Sequence, residues 1–269
     1  MITPSGLTDA TRDALMPETL RKAVGCLLTP IVVLLGLFWL CLFHGVQIAA
    51  RHVGEPARRR SVDALNACLL GSLTFLGHRC RLTGDIPEPD GRPLIVIANH
   101  QSTLDVIGLG WYLRRWRPRF VAKRELGRGI PSVSYNLRHS GAALIDRGDA
   151  RQAMKEIGRL GEQLRREGGA GIIFPEGTRA RDGRLRPFAA AGIKVLLKKA
   201  PGARVLPVCI HDTWRLHPYG RFPMGVGERF HWSVLPVIET SALTAEEVVQ
   251  QAEAAIRAEY ARLATRSPR

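Results

Sequence analysis

A histidine and an aspartate five positions apart could act together as a catalytic base. His100 and Asp105 belong to the segment 99–105 (Asn-His-Gln-Ser-Thr-Leu-Asp), which directly follows the apolar run Leu94–Ala98. A carboxylate that holds the Nδ1 proton of an imidazole leaves Nε2 free to take a proton from a hydroxyl group. His100 is therefore a candidate general base and Asp105 its orienting acid. The alternative is a helix-capping aspartate beside a loop histidine.

Basic residues follow other apolar runs and could bind an anion beside this base. Arg179 ends the segment Phe-Pro-Glu-Gly-Thr-Arg, and a guanidinium group can donate to two oxygens of one phosphate. Gly177 would let the backbone come close to such a ligand. Lys123 and Arg147 follow two further runs. Each cation could be an ordinary surface residue, but together they predict an anion-binding rim next to His100.

The elements that must position these residues are short apolar runs that alternate with helical patterns. Continuous β-branched runs separated by helices are typical of a mostly parallel sheet covered by helices on both faces. We therefore predict an α/β domain over residues 84–269, beginning with a linker rich in Pro, Gly and Asp. The predicted strands are 94–98, 119–122, 141–145, 170–174, 205–210 and 230–238.

Two capping patterns predict where helices of this domain begin. Asp149 is a candidate N-cap with Gln152 three residues later, and Thr244 with Glu247 forms the same pattern. His211 and the aspartate after it follow a predicted strand, and we assign them to a surface turn. The histidines and the five cysteines lack the spacing of a metal site or a redox pair, so no metal site is expected.

The strongest apolar stretch lies near the N-terminus. Residues 23–43 carry no charged side chain, and a helix of this length is about 30 Å long, enough to cross the hydrocarbon of a bilayer. Pro30 and Gly36 leave open a kinked or re-entrant helix. A second, shorter apolar segment over 62–76 is expected to fold back against the first.

We therefore divide the chain into an N-terminal segment (1–20), a membrane-associated helix pair (21–83) and the α/β domain. The alternative is a buried helix pair of a soluble protein.

Positive charge flanks the apolar stretch on both sides. The whole chain has 39 Lys and Arg against 24 Asp and Glu, a formal net charge of +15. Arg21 and Lys22 precede the stretch, and the heavier cluster of Arg51, His52 and residues 58–60 follows it. This asymmetry predicts a catalytic domain on the cytoplasmic side, which is the inner membrane surface in a bacterium. The same cations could bind anionic headgroups.

Four ordered segments resemble the motifs of the glycerolipid acyltransferases, especially the bacterial 1-acyl-sn-glycerol-3-phosphate acyltransferases. The resemblance covers about residues 80–240. The family often has Ser after the arginine of the third motif, where this sequence has Ala180. The segments are Asn99-His100 with Asp105, Gly141 with Ile145-Asp146-Arg147, Phe174 to Arg179, and Leu206-Pro207-Val208.

The resemblance implies transfer of a fatty acyl group from a thioester to the sn-2 hydroxyl of lysophosphatidic acid, which gives phosphatidic acid. His100 would be the base and Asp105 its orienting partner, and no cofactor would be needed. The acyl donor could be acyl carrier protein or coenzyme A. The residues implied in binding the acceptor's phosphate are Lys123, Arg147, Glu176, Gly177, Thr178 and Arg179.

Three other interpretations stay open at this point. The acceptor could be another lysolipid, such as a lysophospholipid or a lyso-ornithine lipid. The protein could instead be a membrane-anchored thioesterase in which His100 activates water. A nucleic-acid-binding module is disfavoured, because only 6% of residues are aromatic and Phe38, Trp39 and Phe43 fall in the apolar stretch. We therefore expect a membrane lipid and an acyl thioester as partners, and no nucleic acid.

Overall fold

The computed structural model describes residues 16–266, so most of the predicted N-terminal segment 1–20 lies outside the described residues. Within them the chain forms seven α-helices and seven strands. The helices are α1 (Glu18–Val53), α2 (Glu55–Ser72), α3 (Leu104–Tyr112), α4 (Val133–His139), α5 (Ala150–Glu167), α6 (Ala190–Lys199) and α7 (Ala245–Arg266). The strands are β1 (Arg79–Thr83), β2 (Leu94–Ala98), β3 (Arg119–Lys123), β4 (Ala143–Ile145), β5 (Ala170–Ile173), β6 (Arg204–His211) and β7 (Arg229–Val234).

The strands form one sheet in the order β1-β7-β6-β2-β5-β3-β4. Neighbours from β6 to β4 are parallel, whereas β7 is antiparallel to β6 and β1 is parallel to β7. This arrangement confirms the predicted α/β class with a mostly parallel sheet. The sheet begins at Arg79, five residues before the domain boundary that the sequence predicts. The sequence gives little sign of β1, because this edge strand is half exposed and carries two arginines.

Apolar cores cover both faces of the sheet, and the alternation within β2 explains why. All five residues of this central strand are buried, and successive side chains point to opposite faces. Ile95 and Ile97 pack in a core with side chains of α5, α6 and α7. Leu94 and Val96 pack in the other core, with α3 and residue Leu73 at the end of the helix pair. Because β2 is held from both sides, the loop that follows it starts from a fixed point.

Both predicted capping patterns are present. The Asp149 carboxylate accepts a hydrogen bond from the backbone N–H of Gln152 at the start of α5. The Thr244 hydroxyl and the Glu247 carboxylate each accept from the other's backbone N–H at the start of α7, which is a reciprocal capping box.

The two N-terminal helices pack against each other, and α1 leaves most of its apolar surface exposed. Its 36 residues span about 54 Å, and Pro30 lies inside one continuous helix. By length and composition this is a helix that could cross a membrane, and only 11% of its most apolar window is buried. Leu27, Leu34 and Phe38 are each more than half exposed. The structure thus contains a helix pair with an outward apolar face instead of a buried pair.

One residue of the basic cluster that follows the apolar stretch does not have the predicted role of binding lipid headgroups. Arg58 is buried in α2, where its guanidinium group pairs with Glu55 and donates to the Asn136 side chain of α4. It also donates to the His139 carbonyl oxygen. Arg58 therefore joins the helix pair to the α/β domain and is unavailable to lipid headgroups.

Helix α1 is attached to the α/β domain at two places. Near its start, Thr29 Oγ1 accepts from the Met224 backbone N–H, and Gly25 lies against the same segment. Further along, the Ser132 hydroxyl donates to the Leu40 carbonyl oxygen at 2.8 Å. Met224 lies in the segment after β6 and Ser132 in the segment after β3. In the sheet, β6 and β3 lie on either side of β2 and β5. Helix α1 therefore bridges across the strands that lead into the predicted catalytic loops.

Candidate active site

His100 and Asp105 are in direct contact at the carboxyl end of β2. His100 lies in the loop after the strand, and Asp105 lies in the first turn of α3. Nδ1 of His100 is 2.8 Å from Oδ2 of Asp105. Because a carboxylate can only accept, Nδ1 carries the proton of this hydrogen bond and Nε2 keeps its lone pair. The pair therefore has the geometry of a base oriented by an acid.

The Asp105 carboxylate is fully buried and its hydrogen bonds are supplied from two elements. Oδ2 also accepts from the backbone N–H groups of Gln101 and Ser102. Oδ1 accepts from the hydroxyl of Thr213, in the turn after β6. These bonds fold the loop around the carboxylate, so Asp105 both shapes the loop and orients His100. The N-cap residue of α3 is Thr103, whose side chain makes no capping hydrogen bond.

The imidazole of His100 is supported on one side and partly open on the other. Its ring stacks on Phe174 after β5, with centroids 4.2 Å apart and planes inclined by 20°. Its side chain is 13% exposed. Asn99, one residue earlier, exchanges two hydrogen bonds of 2.7 Å with the backbone of Ile210 in β6. The base is thus fixed by both neighbouring strands and still accessible to a small part of a substrate.

Glu176 is placed differently from the sequence prediction that it binds a phosphate. One of its carboxylate oxygens accepts from the backbone N–H of His100 and the other from that of Arg186. Burial raises the pKa of this carboxyl, although both hydrogen bonds oppose the rise. An anionic side chain that is already fully engaged would repel a phosphate. Glu176 instead ties the loop of His100 to the loop that follows β5.

We call residues 178–186 the cationic loop, because it carries Arg179, Arg181, Arg184 and Arg186 against one aspartate. Nη1 of Arg179 donates to the Thr103 hydroxyl at 2.9 Å, in the loop of the catalytic pair. A cavity of about 430 Å³ adjoins it. Gly177 precedes the loop with a φ of +67°, a conformation that favours glycine. The cavity is lined by Thr178, Arg179, Arg181, Asp182 and Arg186.

Positive charges concentrate around Arg179. Burial, followed by repulsion from Arg181, lowers the pKa of its guanidinium group, and the charge of Arg147 contributes in the same direction. Arg147 is exposed in the loop after β4 and therefore belongs to this group of cations. Such a cluster of like charges favours an anionic ligand, which would relieve the repulsion.

Lys123 ends β3 at the same edge of the sheet and is exposed. No hydrogen bond or ion pair joins its side chain to another of the residues described here. Its participation in anion binding therefore stays a prediction from the sequence.

Several residues around the site carry no local sequence signal. Thr213 and Tyr260 reach it from distant parts of the chain. His217 is exposed near Arg179, and partial desolvation followed by repulsion from Arg179 lowers its pKa. His211, which the sequence assigns to a surface turn, is buried at the end of β6 and pairs with Asp212. That prediction is wrong because the turn after β6 folds inward against α7. Within residues 16–266 no group of three or more His, Cys, Asp or Glu is arranged to hold a metal ion.

The carboxyl edge of the mostly parallel sheet thus carries a His–Asp pair beside a cation-lined cavity, an arrangement suited to a transferase that acts on an anionic substrate. The sequence model of the family described as Acyltransferase matches residues 79–211, about half of the chain, which contain the His100–Asp105 pair and the cationic loop. The chain belongs to this acyltransferase family.

Its relatives within the family share one activity by name. A 1-acyl-sn-glycerol-3-phosphate acyltransferase of Borreliella burgdorferi is 33% identical over 58% of this chain and 60% of its own length. A protein of the same name from Chlamydomonas reinhardtii is 31% identical over 51% of this chain and 39% of its own. The chain thus spans between two fifths and three fifths of the length of these curated relatives.

A solved structure covers more of the chain. The crystal structure of the 1-acyl-sn-glycerophosphate (LPA) acyltransferase from Thermotoga maritima matches with a TM-score of 0.76 at 25% sequence identity. The match covers 93% of this chain and 100% of that one, so it includes the N-terminal helix pair as well as the sheet.

Proposed function

We propose that this protein transfers a fatty acyl group from an acyl thioester to the sn-2 hydroxyl of 1-acyl-sn-glycerol-3-phosphate, giving phosphatidic acid. The observation that carries the proposal is the pairing of two features on one loop. Residues 100–105 hold the His100–Asp105 pair, and the same loop receives the hydrogen bond of Arg179 through Thr103. An acceptor bound through its phosphate at Arg179 would present a nearby hydroxyl to the base.

His100 acts as the general base in this reaction. Its Nε2 takes the proton of the sn-2 hydroxyl while the oxygen attacks the thioester carbonyl carbon. The carbon–sulfur bond then breaks, and the departing thiolate takes the proton back from Nε2. Asp105 keeps Nδ1 protonated and stabilises the transient imidazolium. The acyl group passes directly between substrates, so the mechanism needs neither an acyl-enzyme nor a cofactor.

The cationic loop recognises the acceptor's phosphate. A phosphate monoester carries close to two negative charges at neutral pH, and a guanidinium group can bind two of its oxygens. Arg179 is the nearest of these cations to the catalytic loop, and Arg181 and Arg147 contribute positive potential around it. The donor is a thioester of coenzyme A or of acyl carrier protein, both of which are anionic.

The exposed apolar face of α1 holds the enzyme at a membrane. Leu27, Leu34 and Phe38 on this face are more than half exposed, which is costly in water and favourable in hydrocarbon. Because α1 bridges the segments after β6 and β3, a bilayer around it lies next to the active-site edge of the sheet. The excess of basic residues after the apolar stretch 23–43 favours a catalytic domain on the cytoplasmic side, at the inner membrane in a bacterium.

Acyl transfer measured with the purified full chain tests this proposal. Lysophosphatidic acid is offered with acyl-coenzyme A and, separately, with acyl carrier protein loaded with the same chain. We expect radiolabelled phosphatidic acid with at least one donor and none from the His100→Ala variant. Preference for a lysophospholipid or a lyso-ornithine lipid would reassign the acceptor. Hydrolysis of the thioester at full rate without acceptor would make the protein a thioesterase.

A further inference from the structure

The C-terminal helix α7 contacts both loops of the active site through one hydroxyl group. The Tyr260 hydroxyl donates to the Gly183 carbonyl oxygen in the cationic loop. The Tyr260 hydroxyl oxygen in turn accepts from Nε2 of Gln101 at 2.8 Å. Tyr260 thus stands between the loop that would bind the phosphate and the loop that carries the base.

Gln101 connects Tyr260 closely to the catalytic pair. It follows His100 in the chain, and its backbone N–H donates to Oδ2 of Asp105. Its side chain points the other way, toward Tyr260. Gln101 therefore joins the Tyr260 hydroxyl to the loop that carries His100 and Asp105.

A second contact from the same face of α7 reaches the cationic loop. Arg257 lies three residues before Tyr260, and its Nη2 donates to the Arg186 carbonyl oxygen at 3.1 Å. Residues three apart are neighbours on one face of a helix. Glu253 holds the Arg257 guanidinium group from within α7. The side chains of Tyr260 and Arg257 thus hold the cationic loop by hydrogen bonds at Gly183 and at Arg186.

The hydroxyl of Tyr260 is separable from the packing of its ring. The ring packs on His211 with centroids 4.7 Å apart, a contact that phenylalanine would retain. Burial raises the pKa of the hydroxyl to about 12, so it stays protonated and can donate at any physiological pH. Without it, the Gly183 carbonyl and the Gln101 amide would each lose a partner, while the ring would still fill its place.

We propose that Tyr260 is a positioning residue that fixes the cationic loop relative to His100, so that an acceptor bound by its phosphate presents its hydroxyl to the base. This inference rests on the proposed function. It predicts that loss of the Tyr260 hydroxyl raises the KM for an acceptor that carries a phosphate. Loss of a residue that only stabilises the fold would instead lower the fraction of active enzyme and leave this KM unchanged.

The test compares Tyr260→Phe with a matched control, Tyr112→Phe. Tyr112 is also half-buried with a pKa raised to about 12, and its ring packs on Trp232. We expect Tyr260→Phe to raise the KM for lysophosphatidic acid about five- to tenfold, because the hydrogen bond that holds the Gly183 carbonyl oxygen is lost, with kcat changed less than about threefold. The lost hydrogen bonds should also lower the thermal unfolding midpoint of Tyr260→Phe by a few degrees, so the kinetics of both variants are measured well below their unfolding transitions. Arg257→Gln should raise the same KM to a smaller extent.

An acceptor without a phosphate gives the second measurement. With 1-acylglycerol the cationic loop has no phosphate to hold, so Tyr260→Phe and wild-type enzyme should have the same kcat/KM. Equal KM values for lysophosphatidic acid in the two Phe variants would overturn the inference, and so would an equal loss with both acceptors or a loss in kcat alone. Wild-type enzyme that fails to acylate lysophosphatidic acid would instead overturn the proposed function and this inference with it.

Discussion

The hydroxyl of Thr213 donates a hydrogen bond to Oδ1 of Asp105, although the two residues are 108 positions apart. The other oxygen of the carboxylate is occupied by His100 and two backbone N–H groups. A buried carboxylate is tolerated when its oxygens are hydrogen-bonded, and Thr213 supplies the partner that the catalytic loop itself provides only weakly.

Replacing Thr213 by valine removes this partner with little change in volume. Oδ1 would then retain only the Ser102 hydroxyl at 3.4 Å. We expect the free energy of unfolding to fall by about 1–3 kcal/mol and kcat to fall as the carboxylate reorients. Chemical denaturation and steady-state kinetics measure the two effects. Thr213→Ser, which keeps the hydroxyl, should behave like the wild type; a valine variant with unchanged kcat would contradict this role.

His100→Ala removes the base and should abolish acyl transfer. Loss of a general base costs about 10²–10⁴ in rate. The side chain contributes little to the core, so we expect the circular dichroism spectrum and association with vesicles to be preserved. His52→Ala, at the exposed end of α1, is the control and should keep full activity. Near wild-type turnover of the purified His100→Ala variant would contradict the role of His100 as general base.

Arg179→Ala should act mainly on binding of the acceptor. Loss of a charge-assisted hydrogen bond predicts a KM for lysophosphatidic acid about ten to a hundred times higher, with a smaller change in kcat. The KM for the acyl donor, measured in the same assays, should change less. Arg165→Ala, which removes an exposed cation from the last turn of α5, controls for net charge. If the Arg179 variant bound the acceptor normally and lost only rate, the assignment of the phosphate site would be wrong.

Gly25 permits the close approach of α1 to the segment after β6. A Cβ atom there would lie 2.7 Å from the Met224 carbonyl oxygen, whereas one at Gly45 would meet nothing within 4 Å. We expect Gly25→Ala to destabilise the protein by about 1–3 kcal/mol, and Gly45→Ala to be neutral or to stabilise α1 by up to about 1 kcal/mol. Unfolding of both variants in the same detergent gives the comparison. Equal stability would show that α1 is not held at Gly25.

His217 should make stability depend on pH below neutrality. Partial desolvation, and then repulsion from Arg179 and Arg181, lowers its pKa below the usual 6.5, so the folded state favours the neutral ring. Because the residue is exposed, solvent screens the effect and keeps it small. Its contribution is full above pH 6.5 and is lost as the pH falls through 6.5 toward the lowered pKa, because the unfolded chain takes up the proton first.

We therefore expect the wild type to lose more unfolding free energy between pH 7.5 and 5.5 than His217→Gln does. His231→Gln should likewise lose less unfolding free energy than the wild type over this pH range, since burial also lowers the pKa of His231. A His217 variant with the same pH dependence as the wild type would refute the assignment.

The parts of the fold that the sequence predicted are those set by local patterns. The strand β2 is predictable from its continuous apolar run, because a strand buried on both faces needs apolar side chains throughout. The starts of α5 and α7 are predictable because helix N-termini favour particular capping residues. The edge strand β1 gives no such signal. The reversed direction of β1 and β7 also lies outside local patterns, since pairing is decided between distant segments.

The same distinction applies to the candidate site. His100, Asp105 and Arg179 could be predicted because strand ends in a parallel sheet share one edge. The family resemblance implied that Glu176 binds the phosphate, yet its carboxylate accepts from two backbone N–H groups, a requirement visible only once the loops are folded. Thr213 and Tyr260 reach the site only through tertiary structure and could not have been found from the sequence.

The contacts of α7 with the His100 loop and the cationic loop have a consequence for the order in which the chain folds during translation. They join residues 71 positions apart at Arg257 and Arg186, and 159 positions apart at Tyr260 and Gln101. A ribosome adds about 5–20 residues per second, so α1 and all strands emerge before the last helix. Helix α1 is therefore available to contact a membrane before α7 can hold the cationic loop.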